Sequence, residues 1–68
     1  MKTPGYYVVR VVQRISKEMA RLQTYEGPFD TLEEAKATAK QIREANPEFE
    51  FAIEHESWET GQGVIVQE

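Results

Sequence analysis

Cysteine is absent from this chain, and that omission removes disulfide stapling, thiolate nucleophiles and thiolate metal sites together. Histidine occurs once, at His55, and serine only at Ser16 and Ser57, so a nucleophile, its base and an orienting third group can hardly be assembled. A metal site built from His55 and Glu59 lacks further ligands at binding spacing. The four glycines form no phosphate loop, because Gly61-Gln62-Gly63 leads into a strand pattern whereas the phosphate fingerprint opens a helix. These absences argue for a non-enzyme with no catalytic residues, no metal and no cofactor. No apolar run approaches the ~20 residues that cross a membrane, and Met1-Lys2-Thr3-Pro4-Gly5 leads into a strand rather than a signal-peptide core. A cytoplasmic protein with no membrane partner is expected.

What the chain does contain is a complete helix with a stop signal at each end. Leu32, Ala35, Ala39 and Ile42 recur at the three-and-four spacing of one helical face, while Glu33, Lys36, Lys40, Arg43 and Glu44 lie around the rest. Thr31 followed by Glu34 is a capping-box pattern, with Asp30 and Glu33 as the competing choice one residue earlier. Glu33 and Glu34 suit the positive end of the helix dipole, and Arg43 suits the negative end. Asn46-Pro47 ends the helix because a residue before proline is pushed out of the α region. An isolated helix of about fifteen residues is marginal in water, so its alanine-rich stripe needs a flat apolar layer close beneath it.

The strands that supply this layer lie on both sides of the helix. Tyr6 to Ile15 is β-branched and aromatic, with apolar residues on both faces as a central strand requires. Its odd positions Tyr7, Val9, Val11 and Ile15 look more core-like than Tyr6, Val8, Arg10, Val12 and Arg14. Ser16-Lys17-Glu18 turns the chain, and Met19 to Glu26 returns as a second strand; a two- or four-residue loop, the preferred choice, puts Leu22 on the same face as Val11, whereas a three-residue loop reverses this, so the hairpin register stays open. Gly27-Pro28 is expected to break that strand, and Phe29 to anchor the helix start. After the helix, Phe49, Phe51 and Ile53 alternate with Glu48, Glu50, Ala52, Glu54 and Glu56, so the phenylalanines should face the helix and the glutamates water. Ser57 to Gly63 reads as a loop, and Val64 to Val66 as a short last strand. The expected fold is a single small α+β domain over residues 1–68. It is a two-layer β-β-α-β-β arrangement, with one helix packed on a four-stranded, mainly antiparallel sheet of order 2-1-3-4. A chain of 68 residues buries only roughly 60% of its unfolded surface, which allows one thin core. That core is expected to be Val9, Val11, Leu22, Phe49, Phe51 and Ile53.

Charge is unevenly placed. Residues 1–25 carry Lys2, Arg10, Arg14, Lys17 and Arg21 against Glu18 alone, a balance of +4. Residues 26–68 carry Lys36, Lys40 and Arg43 against eleven carboxylates, a balance of -8, so the net charge is -4. The two halves are complementary and attract each other across one sheet.

Because the helix covers one face of the sheet, the other is the face expected to bind. On the expected alternation it carries Tyr6, Val8, Arg10, Val12 and Arg14, with Tyr25 and Trp58 nearby. An apolar centre with a charged rim is the composition of a protein-binding surface. The leading expectation is therefore a small non-enzymatic interaction module that binds a protein partner, or itself as a homodimer. A second reading is a small acidic inhibitor of the phage-encoded kind. In it Glu48, Glu50, Glu54, Glu56 and Glu59 mimic a phosphate array and block a nucleic-acid-binding enzyme. A third is single-stranded nucleic-acid binding by stacking on Tyr6 and Tyr25 beside Arg10, Arg14 and Arg21. Nucleic acid ranks last among the partners, since the neighbouring glutamates repel phosphate and are placed to pair with those arginines.

The segment GPFDTLEEAKATAKQI, residues 27–42, resembles a stretch of the sporulation-related (SPOR) glycan-binding domains. There a strand runs through Gly-Pro-Phe into a helix carrying Glu-Ala. The resemblance covers this junction alone. That family's fold alternates two helices with strands, whereas this chain has one helix, so neither its architecture nor its peptidoglycan binding is carried over.

Overall fold

The structure is a computed structural model that describes residues 4–17, 19–56 and 63–66. The first two strands, β1 (Gly5–Arg14) and β2 (Ala20–Phe29), form an antiparallel hairpin in which Val11 stands directly opposite Leu22, the preferred of the two registers that the sequence left open. At its tip the amides of Ile15 and Ser16 both donate to the Met19 carbonyl at 3.0 Å, and the Met19 amide donates to Ser16 Oγ at 3.1 Å. A serine hydroxyl thus does here what an Asn-Gly pair does in tighter turns.

One boundary differs from expectation. Gly27-Pro28 does not break β2, which continues to Phe29. Two features permit this. β2 is an edge strand, where a residue without an N–H is tolerated. Register shifts between Tyr6 and Val8 and between Val8 and Val9 also give β2 room for the extra residues. Gly27 has φ +132°, and the Gly27-Pro28 peptide bond is cis.

The helix α1 (Leu32–Ala45) begins where the capping pattern placed it. Thr31 has extended backbone and its hydroxyl accepts the Glu34 amide at 3.3 Å, so Thr31 rather than Asp30 is the cap. At the other end the Asn46 backbone amide and side-chain Nδ2 both donate to the Ile42 carbonyl, at 2.9 and 3.0 Å. The chain then forms β3 (Phe51–Glu56) and β4 (Gly63–Ile65). All neighbouring strands are antiparallel and the sheet order is β2-β1-β3-β4, with α1 packed on it: the expected two-layer α+β fold. Of the expected loop Ser57 to Gly63, residues 57–62 lie outside the described residues and Gly63 instead opens β4; the terminal Gln67 and Glu68 also lie outside them.

The face that α1 covers is the main correction. The core is Val8, Ala35, Ala39, Phe51 and Ile53, with Tyr6, Phe29, Leu32, Ile42 and Val66 packed around it. Ala35, Ala39, Phe51 and Ile53 are where the sequence put them, but β1 contributes its even set. The reason is register. Val8 stands opposite Ile53 and Arg10 opposite Phe51, and directly opposed residues share a face. With Phe51 and Ile53 under the helix, Tyr6 and Val8 must be there too. Val9, Val11 and Leu22 therefore lie on the opposite, outer face, while Ile15 and Phe49 are exposed.

Candidate functional site

The outer face is not the polar surface that an uncovered sheet usually presents. Tyr7 and Val9 alternate with the core residues and so point away from α1, yet both are buried. Beside them is an open groove of about 590 Å³. Val11, Ala20, Leu22, Ala52 and Ile65 supply the apolar part of its lining, drawn from all four strands. Met19, Arg14 and Lys17 stand at the hairpin end, while Glu54 and Gly63 complete the wall on the β3–β4 side. The lining is as polar as it is apolar, so the groove is a mixed, open surface rather than a closed apolar pocket.

Arg14 reaches this face through a backbone irregularity. Between Val11 and Gln13 the register with β2 shifts, so that Arg14 stands opposite Ala20, on the side of Leu22 and Val11. Plain alternation would have kept it with Arg10. On the outer face Arg14 makes a two-pronged ion pair with Glu50, Nε donating to Oε1 at 3.3 Å and Nη2 donating to Oε2. The hydrogen bond to Glu50, and then its charge, raise the pKa of the guanidinium above its ordinary value. The pair is half-exposed, so it marks the groove's rim rather than anchoring the fold.

The other residues expected to form the binding surface are dispersed. Tyr6 lies on the helix side, stacked on His55 with centroids 4.5 Å apart, and Val8 is fully buried in the core. Arg10 is also on the helix side, its guanidinium 3.9 Å from the centre of the Phe49 ring, and its Nε is buried without a hydrogen-bond partner. Tyr25 meets Phe51 edge-on at 5.2 Å, which places it on the helix side as well. Val12 is half-exposed at the register shift, and Trp58 lies outside the described residues. Among the described ones, Arg14 alone lines the groove.

The expected acidic surface is likewise divided. Glu48 is exposed after the helix, Glu50 is held by Arg14, Glu54 lines the groove, and Glu56 is buried rather than facing water. Glu59 lies outside the described residues. No group of three or more His, Cys, Asp or Glu side chains among the described residues is arranged to hold a metal ion.

Of the groove's lining, reading the sequence named only Arg14 and Glu54 as site residues and placed Val11 and Leu22 in the core instead. A signal was available. The apolar residues on both faces of β1 already showed that the face away from the helix would be apolar too, whichever set the helix took. The fold and groove together define a small two-layer α+β protein with a groove on the sheet face away from α1, where Tyr7 and Val9 are already covered. No protein-family profile, curated protein or solved structure matches this chain.

Proposed function

We propose that this chain is a non-enzymatic interaction module that binds a protein through the outer face of its sheet. The observation that carries this reading is the groove beside Val11 and Leu22: about 590 Å³, part apolar and part charged, on the face opposite α1. Apolar side chains from a partner gain by leaving water there, and Arg14, Lys17 and Glu54 orient the complex. This proposal keeps the expectation of binding through the sheet face opposite α1 but rests it on a different set of residues.

The other two readings have less to stand on. An acidic mimic of nucleic acid needs a solvated row of carboxylates, and here Glu50 is engaged by Arg14 while Glu56 is buried. Stacking of single-stranded bases needs Tyr6, Tyr25, Arg10 and Arg14 on one open face, and Arg14 is separated from the other three.

The test is capture of protein partners by the wild-type chain and by Leu22→Glu, with Lys40→Glu on the exposed side of α1 as control. Capture that survives Lys40→Glu and is lost in Leu22→Glu supports the reading. Capture insensitive to Leu22→Glu, or none at all including of the chain itself, ends it.

A further inference from the structure

We propose that the guanidinium of Arg10, with Tyr25 and Phe49 beside it, is a docking site for an acidic side chain carried on an apolar segment of a partner protein. This surface lies on the helix side of the sheet, away from the outer-face groove, so either can fail without the other.

Charge comes first. Arg10 stands in the central strand, opposite Phe51 on β3 and Gln23 on β2, and is half-buried. Its guanidinium lies 3.9 Å from the centre of the Phe49 ring, and its Nε is buried without a hydrogen-bond partner. Neighbouring arginines are engaged. Arg14 is paired with Glu50 on the other face, and Arg43 donates through Nη2 to the Phe51 carbonyl at 2.9 Å. No carboxylate among the described residues is bonded to Arg10, so its charge is drawn partly out of water with only an aromatic face to offset the loss. Nε alone is enclosed, which leaves the Nη edge open to an incoming carboxylate. A two-pronged pair there is the strong form of a charge-assisted hydrogen bond.

The rings come second. Tyr25 and Phe49 are 50% and 40% exposed beside this charge, and Tyr25 leans edge-on against the buried Phe51 at 5.2 Å. Arg10, Phe49 and Tyr25 each already rest on a ring or a guanidinium, so little freedom is left to lose when a partner arrives. Arginine and tyrosine are also the residues that dominate protein contacts. Apolar groups next to the incoming acid gain by covering the exposed rings.

The surroundings select protein over nucleic acid. Glu26 follows Tyr25 in the chain, Glu48 and Glu50 flank Phe49, and the net charge is -4. A backbone of many phosphates is repelled by such neighbours, whereas one carboxylate needs only one cation.

Selection of a random linear peptide library on the immobilised full chain tests the site, with the selected peptides resynthesised and their affinities measured. The expected peptides place Asp or Glu beside an aromatic or aliphatic residue. Exchanging that acid for its amide should weaken binding by about tenfold or more, as should Arg10→Gln in the protein. Arg10→Lys should restore little, because lysine lacks the planar fork. Tyr25→Ala should also weaken binding, and Leu22→Glu should leave it unchanged. Circular dichroism checks that each variant is folded. If Arg10→Gln is not, the acid-to-amide exchange in the peptide decides together with the Arg10 Nε–H resonance of the unaltered protein, which should shift with the acidic peptide and not with its amide. Failure to select any peptide overturns the proposal, and so do peptides indifferent to the amide exchange. Binding lost in Leu22→Glu but kept in Arg10→Gln also overturns it, since those peptides occupy the outer-face groove. An Arg10 resonance that moves with a single-stranded oligonucleotide and not with the acidic peptide overturns the choice of a protein segment.

Discussion

At Gly27 a β-carbon would lie 2.7 Å from Tyr7 Cδ1 and 2.9 Å from the Tyr6 carbonyl oxygen, in a backbone conformation with φ +132° that L side chains rarely adopt. Both conditions fall on the strand next to β1, so Gly27→Ala should lower stability by about 1–3 kcal/mol, measured by chemical denaturation. Arg10 is a different case. Its guanidinium rests on Phe49 at the margin of the core with Nε unpartnered, so packing rather than hydrogen bonding holds it. Arg14, 62% exposed, should matter little to folding. Its pKa is raised by Glu50, so the stability linked to its protonation is fully present below the unfolded value and fades only as pH climbs through the higher folded one. Both lie in strongly alkaline solution. Because the pair is exposed and screened by solvent, Arg14→Gln should lower the melting temperature only slightly and by the same amount at every pH across the neutral range, and a marked drop would show that the pair supports the fold.

Among the elements, α1 depends on two kinds of residue. Thr31 satisfies an amide of the first turn, and Thr31→Ala should cost about 1 kcal/mol. Ala35 and Ala39 are fully buried against the sheet, which lets the helix approach closely. Ala39→Leu should overpack this contact and cost about 1–3 kcal/mol, seen as a lower denaturation midpoint. The helix was legible in detail because its signals are local. A cap, an apolar period and a proline stop all lie within a few residues of what they control. β2 was legible in place but not in extent. Whether Gly27-Pro28 ends a strand depends on which neighbour lies beside it, and only the edge position of β2 makes the passage tolerable.

For the molecule as a whole, the central position of β1 between β2 and β3 should govern its slowest motions. Amides of Val8 and Val9 should exchange with solvent last, and those of β4 among the first, in hydrogen-exchange measurements. Ile53→Ala, a change in the middle of the only layer of core beneath α1, should cost about 2–5 kcal/mol. The uneven charge of the two halves also takes a concrete form at this scale. Arg14 from the cationic half meets Glu50 from the anionic half across 36 residues of chain. That pairing was anticipated in kind, and the arginine that makes it was one of three candidates.

The sequence by itself determined the order of elements, the helix with its cap narrowed to Thr31 or Asp30, and the antiparallel sheet order. Each follows from local patterning or from the short connections between elements. Only the tertiary structure decided which face of β1 the helix covers. That choice rests on the register between β1 and β3, strands separated by the whole of β2 and α1, and a shift of one residue there exchanges every side chain between core and surface. Tyr6 and Val8 passed to the core by that choice, Val9, Val11 and Leu22 to the outer face, and the register shift after Val11 carried Arg14 with them. The groove exists because that choice and that shift coincide.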